Sequence, residues 1–426
     1  MKVFSDVEKT PYDIVPLGEL LCNLTDGTHH TPSYTEDGVK FISVTNVTEN
    51  QIDFINTKYI SREEHLKLIK RCNPQPGNIL LTKIGSIGRA AVVPGDLPEF
   101  SLFVSVALLQ LTDRVIPEYL CAYLNTYFAR KQFERHLKGI GVPDLHLENI
   151  EQTLVILPTD ITFQRRVADA YTESFKKYQS TLKYADGLIE DFGGSIAEYY
   201  GFKQVLKTKL CFAIKRKYLD GVIDTKRYMN LPNCECKIKI KDICDIVGEK
   251  INVNYYGDKV IDWIRIDDLP NRPLDIEKVR TQPANEVEGS FFVVQKDDIL
   301  VARLGPTILN QKIVMVHETR RETIASSEFL VLRCKKGYYP EAVMAILKTP
   351  YYRDLMYSYA RGSTPSRYRL NNTDLLNLPF PDVQEEQNEL ADKAEKLRLQ
   401  VKAMRLKATK EWEIAKKRFE KTLLGE

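Results

Sequence analysis

The chain has 426 residues, length enough for about three average domains of roughly 150 residues each. Its 61 Lys+Arg against 58 Asp+Glu leave a net charge of +3, which excludes a uniformly basic nucleic-acid coat and an acidic disordered tail, so a charge-driven partner must meet a local patch. With 43% hydrophobic and 28% charged residues the composition is that of a globular protein, and no apolar run approaches the roughly 18 residues that span a bilayer.

The chain opens Met1-Lys2-Val3-Phe4-Ser5-Asp6-Val7-Glu8, with no apolar core or small-residue cleavage site for a secretory leader. A cytoplasmic location is expected. From there the chain repeats itself at about 220 residues. Val15-Pro16-Leu17-Gly18-Glu19-Leu20 answers to Ile238-Lys239-Ile240-Lys241-Asp242-Ile243, and Lys40-Phe41-Ile42-Ser43-Val44 to Asp262-Trp263-Ile264-Arg265-Ile266. Gly77-Asn78-Ile79-Leu80-Leu81-Thr82-Lys83-Ile84-Gly85 matches Asp297-Asp298-Ile299-Leu300-Val301-Ala302-Arg303-Leu304-Gly305, and Pro117-Glu118 matches Pro340-Glu341. Gly141-Val142-Pro143 precedes Leu147 much as Ser363-Thr364-Pro365 precedes Leu370, and Leu157-Pro158 with Gln164 parallels Phe380-Pro381 with Gln387. The offset is 223 near both ends and dips to 220 in the middle, the mark of a duplication with altered loops.

Each unit reads as a sheet-rich, mixed α/β domain followed by a long helix. Short β-branched and aromatic runs at 40–44, 79–82, 104–111 and 329–332 are bounded by Gly, Pro, Asn and Asp. Helices are expected after Pro117 and Pro340, since proline suits the first helical position and Glu118 and Glu341 suit the positive helix start. In the proximal helix Val167, Tyr171, Phe175, Tyr178, Leu182, Ala185, Ile189, Phe192, Ile196 and Tyr199 hold coiled-coil spacing, interrupted by a weak point at Gly193-Gly194. In the distal helix Leu390, Ala394, Leu397, Val401, Met404 and Ala408 do the same, and Trp412, Ala415, Phe419 and Leu423 resume after a stutter. The expected division is a first sheet-rich domain over 1–160, a proximal helix over 161–201, a connector over 202–233, a second domain over 234–381 and a distal helix over 382–426. Antiparallel pairing of the helices would make them a spacer and relate the two domains by an approximate two-fold axis.

The eight cysteines include one close group, Cys234-x-Cys236 with Cys244, which lacks the paired knuckles or nearby histidine of a zinc site. Reduced thiols are expected. The chain has no G-x-x-x-x-G-K-[ST], and Gly85-Ser86-Ile87-Gly88 is too sparse for a dinucleotide or S-adenosylmethionine loop. Asn377-Leu378-Pro379-Phe380 lacks the first proline of an amino-methyltransferase tetrad, a nuclease of the Pro-Asp type would need an acidic-x-lysine triplet at a strand end, which neither Pro143-Asp144 nor Pro381-Asp382 offers, and His29-His30 is expected to have no H-x-x-x-H or carboxylate partner close by. The reading is of a non-catalytic chain.

Recognition chemistry is present instead. Asp26-Gly27-Thr28-His29-His30-Thr31-Pro32-Ser33-Tyr34 is a polar, turn-rich loop. Lys83-Ile84-Gly85-Ser86-Ile87-Gly88-Arg89 puts two cations around glycines that permit close approach to a phosphate. Its counterpart runs Arg303-Leu304-Gly305-Pro306-Thr307 to Asn310-Gln311-Lys312, side chains with base-reading geometry. A third loop, Lys138-Gly139-Ile140-Gly141-Val142-Pro143, corresponds to 361–369, with Arg361, Ser363, Arg367 and Arg369. Lys203, Lys207, Lys209, Lys215, Arg216 and Lys217 make the connector basic, either as a phosphate contact or as a solvated linker.

On the loop at 26–34, the run at 77–89 and the Leu-Pro or Phe-Pro exits followed by a glutamine-bearing helix, the chain resembles the specificity (S) subunit of type I restriction–modification systems. The resemblance implies two target-recognition domains, each reading one half of a bipartite, asymmetric site in double-stranded DNA, related by pseudo-two-fold symmetry and separated by two long antiparallel coiled-coil helices. It implies that these helices dock methyltransferase (M) subunits, two per chain, with restriction (R) subunits added for cleavage. No cofactor is expected in this chain, while S-adenosylmethionine, ATP and Mg belong to the partner subunits. The DNA-binding candidates are Thr28, His29, His30, Thr31, Lys83, Ser86, Arg89 and Lys138 in the first domain. In the second they are Arg265, Arg303, Thr307, Asn310, Gln311, Lys312, Arg361, Ser363, Arg367 and Arg369. Two alternatives stay open: a recognition chain whose partner fuses methyltransferase and nuclease, and a coiled-coil scaffold unrelated to DNA.

Overall fold

The structure is a computed structural model that describes residues 10–137, 143–202, 236, 238–248, 250–252 and 256–426. Lys138 and the basic connector residues lie outside the described residues. The chain divides into two compact units, one of 1–180 with Ala408–Glu426 and one of Thr181–Lys407, so the division falls within both long helices. No helix of the described residues is long and apolar enough to cross a membrane.

In the first unit an antiparallel sheet runs Leu21–Asp26, Val106–Leu111, Ile79–Thr82, Ala90–Val92. A second sheet runs Phe100–Leu102, Val39–Ile42, Lys58–Ile60, Tyr34–Thr35, its first two strands parallel. The central strands are buried on both faces, which is why they read as unbroken apolar runs. Strand alternation sends Ile79, Leu81, Ala107 and Leu109 into the core shared with the helix Pro117–Leu124. It sends Leu80, Val106 and Leu108 towards Ile42 and Phe100 of the second sheet.

The second unit repeats this plan. Its first sheet runs Cys244–Ile246, Phe329–Cys334, Ile299–Ala302, Ile313–Met315. Its second has five strands, with Asp262–Ile264 lying parallel to Thr323–Ala325 as Lys40–Ile42 lies parallel to Phe100–Leu102. The turns entering the hairpins also coincide. Asn78 Oδ1 accepts from Gln75 N at 2.9 Å and Asp298 Oδ2 from Gln295 N at 2.9 Å, and the residue between is left-handed in both, Gly77 at φ 83° and Asp297 at φ 71°. The offset of 220 at this turn returns to 223 across the hairpin, where Leu80 pairs Ala91 and Leu300 pairs Val314. The second hairpin loop is therefore three residues longer, and the one-turn helix Gly305–Leu309 lies in it. Leu147 proves not to be the counterpart of Leu370. Leu145 is, because Leu145 N donates to Lys83 O at 2.8 Å as Leu370 N does to Arg303 O at 2.9 Å.

Proline starts the helices Pro117–Leu124 and Pro340–Leu347, as expected. The helices that follow, Tyr127–His136 and Pro350–Tyr359, are capped by Thr126 and Thr349, whose hydroxyls accept from Ala129 N and Tyr352 N and donate to Tyr123 O and Ile346 O. The long helices run Ile161–Tyr199 and Gln387–Leu423. Near their starts Gln164 and Gln387 make one set of bonds twice. Gln164 Oε1 accepts from Ile116 N at 2.9 Å and Nε2 donates to Arg114 O at 3.2 Å. Gln387 Oε1 accepts from Tyr339 N at 3.0 Å and Nε2 donates to Gly337 O at 2.9 Å.

Within each unit the long-helix segments pair antiparallel. In the first, Trp412 packs on Tyr171 and Tyr178, and Phe419 packs on Tyr171. In the second, Val401 shares a cluster with Ala185 and Ile189, and Arg405 pairs with Asp186 at 2.7 Å. Tyr199 departs from the seam: its ring is exposed and its hydroxyl donates to Glu386 at 2.8 Å. The helix also runs unbroken through Gly193 and Gly194. Gly193 is where it passes the capped turn below, since a Cβ there would lie 3.4 Å from Pro350 Cδ, whereas Gly194 faces open space. Cys236 is disulfide-bonded, against the expectation of reduced thiols; the other five described cysteines are free.

Lys348 is buried and donates to the carbonyls of Pro273, Gln311 and Ile313. Burial, with Arg405 and Arg272 nearby, lowers its pKa to about 7. The unfolded chain holds that proton up to the ordinary lysine range, so unfolding takes up a proton above neutrality, and this lysine adds stability as pH rises from about 7 towards 10. Chemical denaturation at pH 7 and pH 9 should show the gain, and Lys348→Met should flatten it; an unchanged slope in the variant would refute the assignment. Gly194→Ala should raise the melting temperature, by up to about 1 kcal/mol of stability, and by more than Gly193→Ala.

Candidate nucleic-acid interface

In the first unit the chain leaves the strand Leu21–Asp26 and crosses the end of Phe100–Leu102 so closely that a Cβ at Gly27 would lie 2.1 Å from Leu102 O. Only glycine fits there. Thr28 N then donates to Leu102 O at 3.0 Å, and Val104 N donates to Thr28 O at 3.0 Å. This pins the loop and buries Thr28, while His29, His30 and Thr31 are exposed.

Beneath the loop Asp26 is 3% exposed and gathers cations. Arg71 pairs with it, His29 Nε2 lies 3.2 Å away and Lys83 Nζ 3.5 Å away. Lys83 also lies 3.5 Å from Asp144. At 5% exposure Lys83 is an internal counter-ion joining three chain segments, and it does not stand at the rim of its glycine loop. The loop beyond it turns through Gly85 and Gly88, both left-handed, and a Cβ on Gly88 would meet Phe133 Cδ2 at 2.9 Å. Ser86 and Arg89 are left exposed. Main-chain bonds hold the foot of the loop: Lys83 N to Ser105 O, Leu145 N to Lys83 O, Gly85 N to Pro143 O.

The second unit has the same frame. Arg303 N donates to Glu328 O at 3.1 Å, Leu370 N to Arg303 O at 2.9 Å and Gly305 N to Tyr368 O at 2.8 Å. Arg361 and Arg369 exchange two main-chain bonds, and Gly362 lets the loop close, since a Cβ there would lie 2.4 Å from Arg367 O. The side chains differ from the first copy. Arg369 grips Glu328 with two bonds, at 2.9 and 3.3 Å, and Arg361 lies 3.7 Å from Asp374. Ser363 and Arg367 are exposed. Arg303 is half-buried, with its Nε out of solvent and no partner among the described residues.

The remaining candidates divide by direction. Thr307 turns its hydroxyl back to Leu304 O at 2.7 Å, and Gln311 is buried, its amide donating to Lys348 O at 2.6 Å. Lys312 Nζ donates to Ile266 O at 3.1 Å, and burial lowers its pKa. Asn310 is exposed, its carbonyl taking Arg272 N. Arg265 lies 5.0 Å above the Trp263 ring and 3.0 Å from Asp267. The structure thus brings together 26–34, 83–89 and Asp144 in the first unit, and 303–305, Glu328 and 361–370 in the second, with 265–272 meeting 310–312 separately.

Sequence reasoning passed over the carboxylates, Asp26, Asp144 and Glu328, that anchor these cations. It also passed over a cation–aromatic platform, Lys58 4.0 Å from the Tyr34 ring and Lys40 5.4 Å from the Tyr59 ring. The alternation of Lys and Tyr at 58–59 could have signalled the platform; the Asp26 hub could not be read locally, its arginine lying 45 residues on.

No family model matches the chain. A curated relative, the type I restriction enzyme EcoBI specificity subunit of Escherichia coli, is 21% identical over 177 residues, 41% of this chain. The match spans 35% of that relative's length. Two solved chains align over 97% of this one. One, from a structure of complex assembly and conformational transition of the type I R-M system, is 15% identical, has a TM-score of 0.41 and is itself covered to 97%. The other, the HsdS subunit from Thermoanaerobacter tengcongensis, is 14% identical, has a TM-score of 0.33 and is covered to 95%.

Lys83→Ala removes one of the cations around a buried carboxylate that Arg71 still pairs and should cost about 1–3 kcal/mol, whereas the exposed Arg89→Ala should stay within about 0.5 kcal/mol. Thermal melting of the two variants checks this, and equal melting points would mean Lys83 is not an internal ion pair.

Proposed function

We propose that this chain, a relative of the type I specificity subunits, is the sequence-specific DNA-recognition subunit of a type I restriction–modification complex. Each sheet-rich domain reads one half of a bipartite, asymmetric site. The observation that carries the reading is the frame built twice: main-chain bonds fix a glycine loop and a closing segment in each domain, while the side chains on the glycine loop differ, Arg89 standing exposed where its counterpart Lys312 turns in to Ile266 O. Phosphate contacts position a protein on DNA and base contacts specify the sequence. Two equivalent frames with unlike side chains suit two unlike half-sites.

The long helices serve the partners. Tyr184, Leu399 and Leu406 are exposed on them, the last two about two turns apart on one side of the distal helix. That stripe is suited to methyltransferase subunits, with restriction subunits joining the assembly. The chain itself performs no chemistry in this reading: S-adenosylmethionine, ATP and Mg belong to the partners, and the modest net charge suits a subunit that meets DNA as part of a larger body.

Arg89→Ala and Arg367→Ala in the assembled complex should each weaken DNA binding and reduce the salt slope by about one counterion. Footprinting should place the two losses on different half-sites. Losses on the same half, or methyl transfer by the isolated chain supplied with S-adenosylmethionine, would defeat the reading.

A further inference from the structure

Each unit carries a groove between its long-helix segments. In the first, Phe163, Arg166, Arg418 and Thr422 stand around a floor of Tyr171 and Phe419, enclosing about 300 Å³. In the second, Glu386, Glu389, Ser195 and Tyr199 stand around Leu390 and Ile196, enclosing about 200 Å³. The rims correspond residue for residue at the repeat offset: 163 with 386, 166 with 389, 418 with 195 and 422 with 199. One groove has been built twice, with Arg166 exchanged for Glu389 and Arg418 for Ser195.

The exchange alters the charge each groove offers. Arg166 and Arg418 are exposed, and neither pairs with a carboxylate among the described residues; Arg166 lies 5.1 Å from the Phe163 ring. In the second groove the charges are already engaged, Glu389 with Lys393 at 2.6 Å and Glu386 with the Tyr199 hydroxyl at 2.8 Å. The first groove therefore presents free positive charge over an apolar floor, and the second presents the floor without it. Its lining on the proximal helix, at 163, 166, 167, 170, 171 and 174, follows one helical face over about three turns. A long apolar trough with a charged rim is the receptor for an amphipathic helix, whose anchors fill the floor while rim charges set orientation and preference.

We propose that the two grooves receive the same acidic-rimmed amphipathic helix from two copies of one partner chain, and that the copy in the arginine groove binds more tightly. Duplication of the site calls for one kind of occupant, and the uncompensated guanidinium groups match acidic flanks. The same occupant meets Glu386 and Glu389 in the second groove, so the assembly forms in two unequal steps. This rests on the functional reading above, with the methyltransferase subunit as the partner chain.

The full-length chain should be titrated with its cognate methyltransferase subunit, stoichiometry being read by native mass spectrometry and affinity by calorimetry at two salt concentrations. Two classes of site are expected, at least tenfold apart, the tighter one weakening more with salt. Arg166→Glu with Arg418→Glu should abolish the tighter class and spare the weaker. Ser195→Arg with Glu389→Arg should bring the weaker class to the strength of the tighter. All four positions are at the surface, and melting curves matching the parent confirm folding. Equal classes in the parent chain, or equal loss from both classes in the arginine variant, would overturn the proposal. So would reduced DNA affinity with unchanged partner stoichiometry, which would assign the groove to phosphates. No complex at any concentration would defeat the functional reading itself.

Discussion

The head of each long helix depends on one buried amide. Gln164 and Gln387 sit where the sheet domain gives way to the helix, each giving an acceptor to the first amide of a proline-headed helix and a donor to a carbonyl two residues before it. That amide is one of the donors a helix start leaves without an internal partner. Both side chains are buried, Gln164 completely and Gln387 to within 8%, so an unpaired group there would carry a desolvation cost of about 1–3 kcal/mol. The bonds fix the entry of each long helix against its own domain, and the antiparallel pairing within each unit follows from that entry. Glutamate would leave a charge beside a carbonyl, and leucine would strand both main-chain groups.

The architecture was legible in the sequence because its signals are periodic or paired. The strand runs at 79–82 and 329–332, the prolines at 117 and 340 and the helix seams from Val167 and Leu390 all lie where spacing alone puts them. The repeat located Gln164 and Gln387 before their bonds were known. What spacing could not give was the direction of a side chain whose partner is distant. Lys83 and Gln311 sit in loops that read as surface, yet Asp26, Asp144 and the Lys348 carbonyl draw them inward. Gly193 read as a flaw because helix propensity is local, whereas its role is set by Pro350.

The two domains keep what is bonded through the main chain and vary what is not. Ser105 and Glu328 differ in every chemical respect, yet each offers its carbonyl to the residue that starts the glycine loop. Position 125/348 shows the same economy in the interior. Asn125 donates to Ala90 O, and Lys348, its counterpart, donates to Ile313 O on the equivalent strand. A neutral amide and an amine thus donate to the equivalent strand carbonyl, while only Asn125 also accepts from the strand amide, Ile313 N turning to Gln311 O instead.

The hairpin loop that is three residues longer in the second domain leaves the strand pairing on either side in register. Strand pairing therefore leaves loop length open, although the longer loop also buries Ile308 in the core. Extended chain advances by at most about 3.3–3.6 Å per residue, so three residues add roughly 10 Å of contour, and a loop anchored at both ends projects further by about half of that. The reach of the loop can then be retuned by insertion or deletion with no strand re-paired.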